Sequence, residues 1–133
     1  MQDSVFTRII KGEIPSHKVY EDDKTVAFLD IHPKQTGQIV VVPKVQVSFV
    51  WDLEEADYQA LMATVQKVGR RLREVFSDKQ RVGFLVEGLD VADHAHVVVL
   101  PFNTSDEFQG TPADGEPDHA TLAKIAERLR FHS

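Results

Sequence analysis

His94 and His96 stand one residue apart in the run His-Ala-His-Val-Val-Val-Leu-Pro, residues 94–101 of a 133-residue chain. Imidazole is the side chain that serves as nucleophile, proton carrier or metal ligand near neutral pH. The β-branched residues that follow predict a strand over His94–Leu100, where side chains alternate with a period of two. On such a strand both rings point to one face while Ala95, Val97 and Val99 pack on the other. Two histidines on one face, followed by an apolar run and a proline stop, suggest a built site. The remaining histidines, His17, His32, His119 and His132, fall in turns, loops or near the end of the sequence and read as surface residues.

A histidine pair of this kind needs a sheet to hold it, and the rest of the chain supplies one. Phe6, Ile9 and Ile10 recur at helical spacing over residues 5–11, before the break at Gly12 and Pro15. His17–Tyr20 and Thr25–Asp30 read as two strands of a hairpin, joined by Glu21-Asp22-Asp23-Lys24, whose carboxylates can cap backbone donors. After a turn at Pro33–Gly37, Gln38–Pro43 is apolar enough for the middle of a sheet. From Glu54 to about Phe76, Leu61, Val65, Val68, Leu72 and Val75 mark a long amphipathic helix, with Asp52 as N-cap and Glu55 completing a capping box. Arg81–Glu87 gives a fourth strand, Gly88–Asp93 a loop and His94–Leu100 the fifth strand. Residues 103–118 have the composition of a flexible loop, and 120–131 form a C-terminal helix with Leu122, Ile125 and Leu129 on one side. The order predicts an α+β fold: an antiparallel sheet of about five strands, one long helix and short helices at the two ends.

At 15.0 kDa and 42% hydrophobic residues, the chain suffices for one core, so 1–133 is expected to be a single domain. It contains no cysteine, which excludes disulfides, thiolate metal sites and a cysteine nucleophile, and suits a reducing cytoplasm. No basic segment leads into an apolar stretch, and no run is long enough to span a bilayer, so neither secretion nor membrane insertion is expected. The formal charge of −6 argues against broad binding to a nucleic-acid backbone and leaves a small anionic ligand open.

Four further segments accompany the histidine pair: Phe6-x-x-Ile9-Ile10-x-Gly12-Glu13-Ile14-Pro15; Val19-Tyr20-Glu21-Asp22-Asp23; Ala27-Phe28-Leu29-Asp30-Ile31-x-Pro33; and Val40-Val41-Val42-Pro43-Lys44. Together, over about residues 5–103, the chain resembles the histidine triad (HIT) family, the nucleotide hydrolases and transferases of the Hint and diadenosine polyphosphate hydrolase type. The resemblance implies the HIT-like fold, a homodimer, a purine nucleotide or dinucleotide as ligand and no cofactor. The family motif is His-φ-His-φ-His-φ-φ. Anchored on Pro101, its histidines fall on His94, His96 and Val98, so the triad is a dyad. A frame shifted by two would instead make His94 the middle residue, flanked by Ala92 and His96.

By this resemblance His96 attacks the α-phosphorus of a nucleoside phosphate, phosphoramidate or dinucleoside polyphosphate, giving a nucleotidyl-histidine that water resolves, and His94 orients it. Asp30 is implied on the ribose hydroxyls. Phe6, Ile9, Ile14, Phe28 and Ile31 would line the nucleobase pocket, with Gln38 and Val98 in the same nucleotide-binding set. Gln38 replaces a histidine common in relatives, and the loop Glu87–Asp93 lacks their phosphate-binding Asn and Gly-Gln. Many bacterial members carry zinc at the positions of Ser4, Thr7, Gln46 and His94; two hydroxyls and an amide are poor zinc ligands, so no metal is expected. Loss of the third histidine leaves two further readings: a catalytically impaired nucleotide-binding protein, and a protein-interaction scaffold on the same fold.

Overall fold

A computed structural model of the chain describes residues 2–131; His132, read above as a surface residue, lies outside them. The elements run α1 (Val5–Ile10), β1 (Lys18–Glu21), β2 (Thr25–Leu29), β3 (Ile39–Pro43), α2 (Glu55–Val75), β4 (Arg81–Leu85), β5 (Val97–Phe102), α3 (Ser105–Gln109) and α4 (His119–Leu129). The five strands form one sheet in the order β1-β2-β3-β5-β4, antiparallel at every step. This is the expected α+β architecture.

Alternation along β2 and β3 divides the interior in two. Ala27, Leu29, Ile39 and Val41, with Val97 and Val99 of β5, face α2 and α4 and pack on Leu61, Val65, Val68, Leu72, Ile125 and Leu129. Val26, Phe28, Val40 and Val42 face the other way and pack on Phe6 and Ile9 of α1. Both faces are covered, which is why β2 and β3 are buried along their whole length. At the β1–β2 turn, Asp22 Oδ1 accepts from the backbone amides of Lys24 (2.9 Å) and Thr25 (2.8 Å). Gly37 sets the entry to β3: its φ is +92°, and a Cβ there would stand 2.7 Å from the Phe76 ring.

Three details depart from the sequence reading. Val50–Asp52 form a short 3-10 turn, so α2 starts later than an Asp52 cap requires; Glu54 occupies the cap without a side-chain bond, and its carbonyl accepts from Tyr58. Residues 103–118 are not all loop, since α3 lies within them, its first turn capped by Thr104 Oγ1 accepting from Glu107 N. The third departure concerns the histidines. The β3–β5 ladder ends at Val41↔Val97, and His94–His96 precede the strand rather than open it. Pro43 has no N–H to extend the ladder. The Ala95 amide donates instead to Val47 O at 2.7 Å, beyond the end of β3.

Candidate active site

Between α1 and the sheet face it covers lies a cavity of about 680 Å³. Phe6 and Ile9 reach it from α1, Ile14 from the segment after α1, Phe28 from β2, Asp30 and Ile31 from the end of β2, Gln38 from the entry to β3, Val98 from β5 and His96 from just before β5. The structure therefore brings nine of the ten residues singled out from the sequence to one cavity. His94 is the exception. It lies behind the wall, fully buried.

Leaving the strand does not separate the two histidines. The Phe6 ring stands edge-on to both, its centroid 5.7 Å from that of His94 and 5.0 Å from that of His96. His94 Nε2 is 2.8 Å from Pro43 O; a carbonyl only accepts, so Nε2 carries the proton. Burial pushes His94 below the ordinary histidine range, against the opposing pull of the Pro43 carbonyl and the Asp93 charge. A neutral ring protonated at Nε2 leaves Nδ1 as an acceptor, and the Ser4 hydroxyl, 2.7 Å away, donates to it. His96 Nδ1 lies 2.9 Å from the His94 carbonyl and donates there. In neutral His96 the free lone pair then sits on Nε2, the form in which an imidazole is nucleophilic.

A polar part of the lining is built around Asp30. Gln38 Nε2 donates to Asp30 Oδ2 and the His32 amide donates to Asp30 Oδ1, each at 2.9 Å. Gln38 Oε1 in turn accepts from Lys34 N at 2.9 Å, so the amide is locked at both ends while buried. Each carboxylate oxygen keeps a lone pair for further donors. His32, expected on the surface, is exposed, yet its Nδ1 donates to Ala113 O at 3.1 Å. With Ala113 N to Pro33 O (3.0 Å) and Lys34 Nζ to Phe108 O (3.4 Å), it straps residues 108–113 to the turn after β2. Gln109, Gly110 and Pro112 of this strap line the cavity.

The strap, Lys34, Glu87 and Asp90 are lining residues that the sequence did not yield as site residues. A signal existed for Glu87. The β4–β5 register pairs Leu85 with Val98, and carried two residues further it sets Glu87 opposite His96. No comparable signal marks the strap, whose contacts join residues 74 and 81 positions apart.

Ser4, Thr7, Gln46 and His94 also meet, as the resemblance to zinc-bearing relatives implies for those positions. Their donors are already committed to one another. Ser4 N and Thr7 Oγ1 both donate to Gln46 Oε1 at 2.8 Å, Gln46 Nε2 donates to Gln2 O at 3.0 Å, and Ser4 Oγ serves His94. No buried polar side-chain atom among the described residues lacks a partner. Two hydroxyls, an amide and one imidazole, mutually satisfied, do not suit zinc.

Comparison with known proteins places the fold and the family. Residues 11–105 match the HIT domain. An uncharacterised HIT-like protein of Borreliella burgdorferi is 35% identical over 77 residues, a match covering 58% of this chain and 55% of that one. The chain thus spans about half the length of such relatives. An adenosine 5'-monophosphoramidase of Candida albicans is 30% identical over 139 residues, covering 95% of this chain and 88% of the relative. The crystal structure of a Zn-bound histidine triad family protein from Mycobacterium smegmatis superposes with a TM-score of 0.79 at 23% identity, over 96% of this chain and 91% of that one. The sheet order, the paired histidines and the match over residues 11–105 have one reading: the chain belongs to the HIT-domain family.

Proposed function

We propose that the chain is a HIT-type nucleotide hydrolase or transferase with His96 as its nucleophile and His94 as the residue that orients it. Adenosine phosphoramidate is the first substrate to test, because a relative similar along nearly the whole chain is an adenosine 5'-monophosphoramidase. One observation carries the reading most. His96 Nδ1–H is spent on the His94 carbonyl, so the Nε2 lone pair is free in a cavity whose apolar wall suits a base and whose Asp30 suits ribose hydroxyls.

In the reaction, Nε2 forms a bond to the α-phosphorus as the bond to the leaving amine breaks, and the amine takes up a proton from solvent, which the attacking water gives back in the second step. Water then attacks the same phosphorus. The N–P bond breaks, the nucleoside monophosphate leaves and the neutral ring is restored. Phe6, Ile9, Ile14, Phe28 and Ile31 would hold the base, Asp30 the ribose, and Gln38 would keep Asp30 in place.

Val98 favours a second reading, a nucleotide-binding protein with little turnover, because an alkyl group lines the cavity where relatives carry a third imidazole. Incubation with adenosine phosphoramidate and intact-mass detection separates the two. An adenylylated protein and released nucleoside monophosphate, both lost in His96→Ala while nucleotide affinity stays within a few-fold, are the expected result. Binding without adduct or product would give the ground to the second reading.

A further inference from the structure

The polar group at the start of α1 is built with more direction than a helix cap needs. Ser4 Oγ accepts from Thr7 N at 3.0 Å and so caps α1, which any good N-cap acceptor would do. Its proton is used separately, on His94 Nδ1, 90 residues away in sequence. Thr7 Oγ1 also donates to Gln46, 39 residues away, and Gln46 is bonded to the Ser4 amide as well. Ser4 and His94 are both buried. Three bonds tie this group to the site: the Ser4 hydroxyl donates to His94 Nδ1, His94 Nε2–H donates to the Pro43 carbonyl, and the His94 carbonyl accepts from His96 Nδ1–H.

We propose that Ser4 is a positioning residue for the histidine pair, its hydroxyl fixing the Nε2–H form of His94, while the bonds among Ser4, Thr7, Gln46 and His94 supply the cross-link that a metal ion supplies at those positions in zinc-bearing relatives. The tautomer matters because only an Nε2–H ring can hold the Pro43 carbonyl. With that bond made, the peptide of residue 94 is anchored and its carbonyl is aimed at His96. A ring flipped to Nδ1–H would release Pro43, and the acceptor that orients the nucleophile would be free to move.

Ser4→Asp separates the two duties of the residue. Aspartate caps a helix about as well as serine, yet an ionised carboxylate has no proton to give. The test is nitrogen-15 NMR of the His94 ring in the native chain and in Ser4→Asp, beside steady-state kinetics on adenosine phosphoramidate. In the native chain Nδ1 is expected at a lone-pair shift and Nε2 at a protonated one; Ser4→Asp is expected to move Nδ1 to the protonated position. On the scale of other residues that orient a site's ligands, kcat should fall about tenfold with KM within about twofold, and Ser4→Thr, which keeps the hydroxyl, should restore both. A native ring protonated at Nδ1 overturns the proposal without any variant, as does a Ser4→Asp protein with native tautomer and native kcat. Thermal unfolding in EDTA and with equimolar zinc should give one Tm; a zinc-dependent rise that Gln46→Ala removes would also overturn it. The kinetic arm rests on the function proposed above. If His96→Ala left turnover intact, that reading would fail while the tautomer measurement would still decide the role of Ser4.

Discussion

At the scale of single residues, Val98 is the position that most limits the turnover proposed above. It pairs with Val40 and Leu85 across the sheet and lines the cavity beside His96, so its side chain faces the reacting phosphorus in the proposed complex. A valine can neither protonate a leaving group nor donate to a phosphoryl oxygen. Placing one imidazole there restores a proton donor, and general acid–base assistance accounts for about a hundred- to ten-thousand-fold in enzymes where it has been removed. Because the surrounding wall packs around an alkyl group and, among the described residues, holds no partner placed to orient an imidazole, the expected gain in Val98→His is smaller, about ten- to a hundred-fold in kcat on adenosine phosphoramidate. Rapid-quench measurement of nucleoside monophosphate release checks it. An unchanged or lower kcat in a folded protein would show that protonation at this position does not limit the reaction. Asp30 illustrates the other kind of residue, legible by type but not by support. Its place at the end of β2 follows from the strand pattern, whereas the two bonds that hold its carboxylate come from Gln38 and the His32 backbone.

At the scale of elements, what was legible was what repeats. The apolar runs in Thr25–Leu29 and Ile39–Pro43 mark strands, and the three- and four-residue steps from Leu61 to Val75 mark a helix face, that the structure reproduces. Junctions were not legible, because they depend on partners far away in the chain. The strand over His94–Leu100 is the plainest case: propensity extends it through the histidines, but the lack of an N–H on Pro43 ends the ladder at Val97. The histidines still meet on Phe6 because the chain is held there by Val47, Pro43 and Ser4 rather than by strand pairing. The same junction carries a pH dependence. Burial lowers His94 from its ordinary value of 6.5, and burial with the neighbouring His119 lowers His17. An unfolded chain binds protons at these rings that the folded chain refuses, so their stabilising contribution is complete above about pH 6.5 and declines as the pH falls through the depressed folded values. Tm is therefore expected to drop on acidification from about pH 7 to pH 5, with a shallower slope in His94→Asn. A slope equal to that of the native chain would exclude His94 as a source of the loss.

Over the whole molecule, charge bears on which nucleotides the proposed site would accept. The chain carries a formal charge of −6, and Asp30, Glu87 and Asp90 line the cavity against one lysine, Lys34, among the described lining residues. A polyphosphate brings several negative charges past these carboxylates, whereas a phosphoramidate brings one and a leaving group that can be cationic. Like charges at such separations oppose binding and are screened by salt. The catalytic efficiency on diadenosine tetraphosphate is expected to lie at least about tenfold below that on an adenosine phosphoramidate, and the gap should narrow as ionic strength rises. Equal efficiencies at low salt, or a gap that salt does not move, would remove electrostatics as the basis of selection. Glu87→Gln with Asp90→Asn should narrow it in the same way.

The cavity is walled by residues from Val5 to Pro112, the first helix and the strap over residues 108–113 among them. A ribosome makes the first of these long before the last. A growing chain therefore presents Asp30, Phe28 and Ile31 without the histidines, then the histidines without the strap, and has no complete cavity, and so no complete form of the proposed nucleotide site, until about residue 112 is in place. Ligand binding cannot guide the early steps of folding in such a protein. It can only stabilise the finished sheet, so nucleotide should slow unfolding far more than it speeds folding.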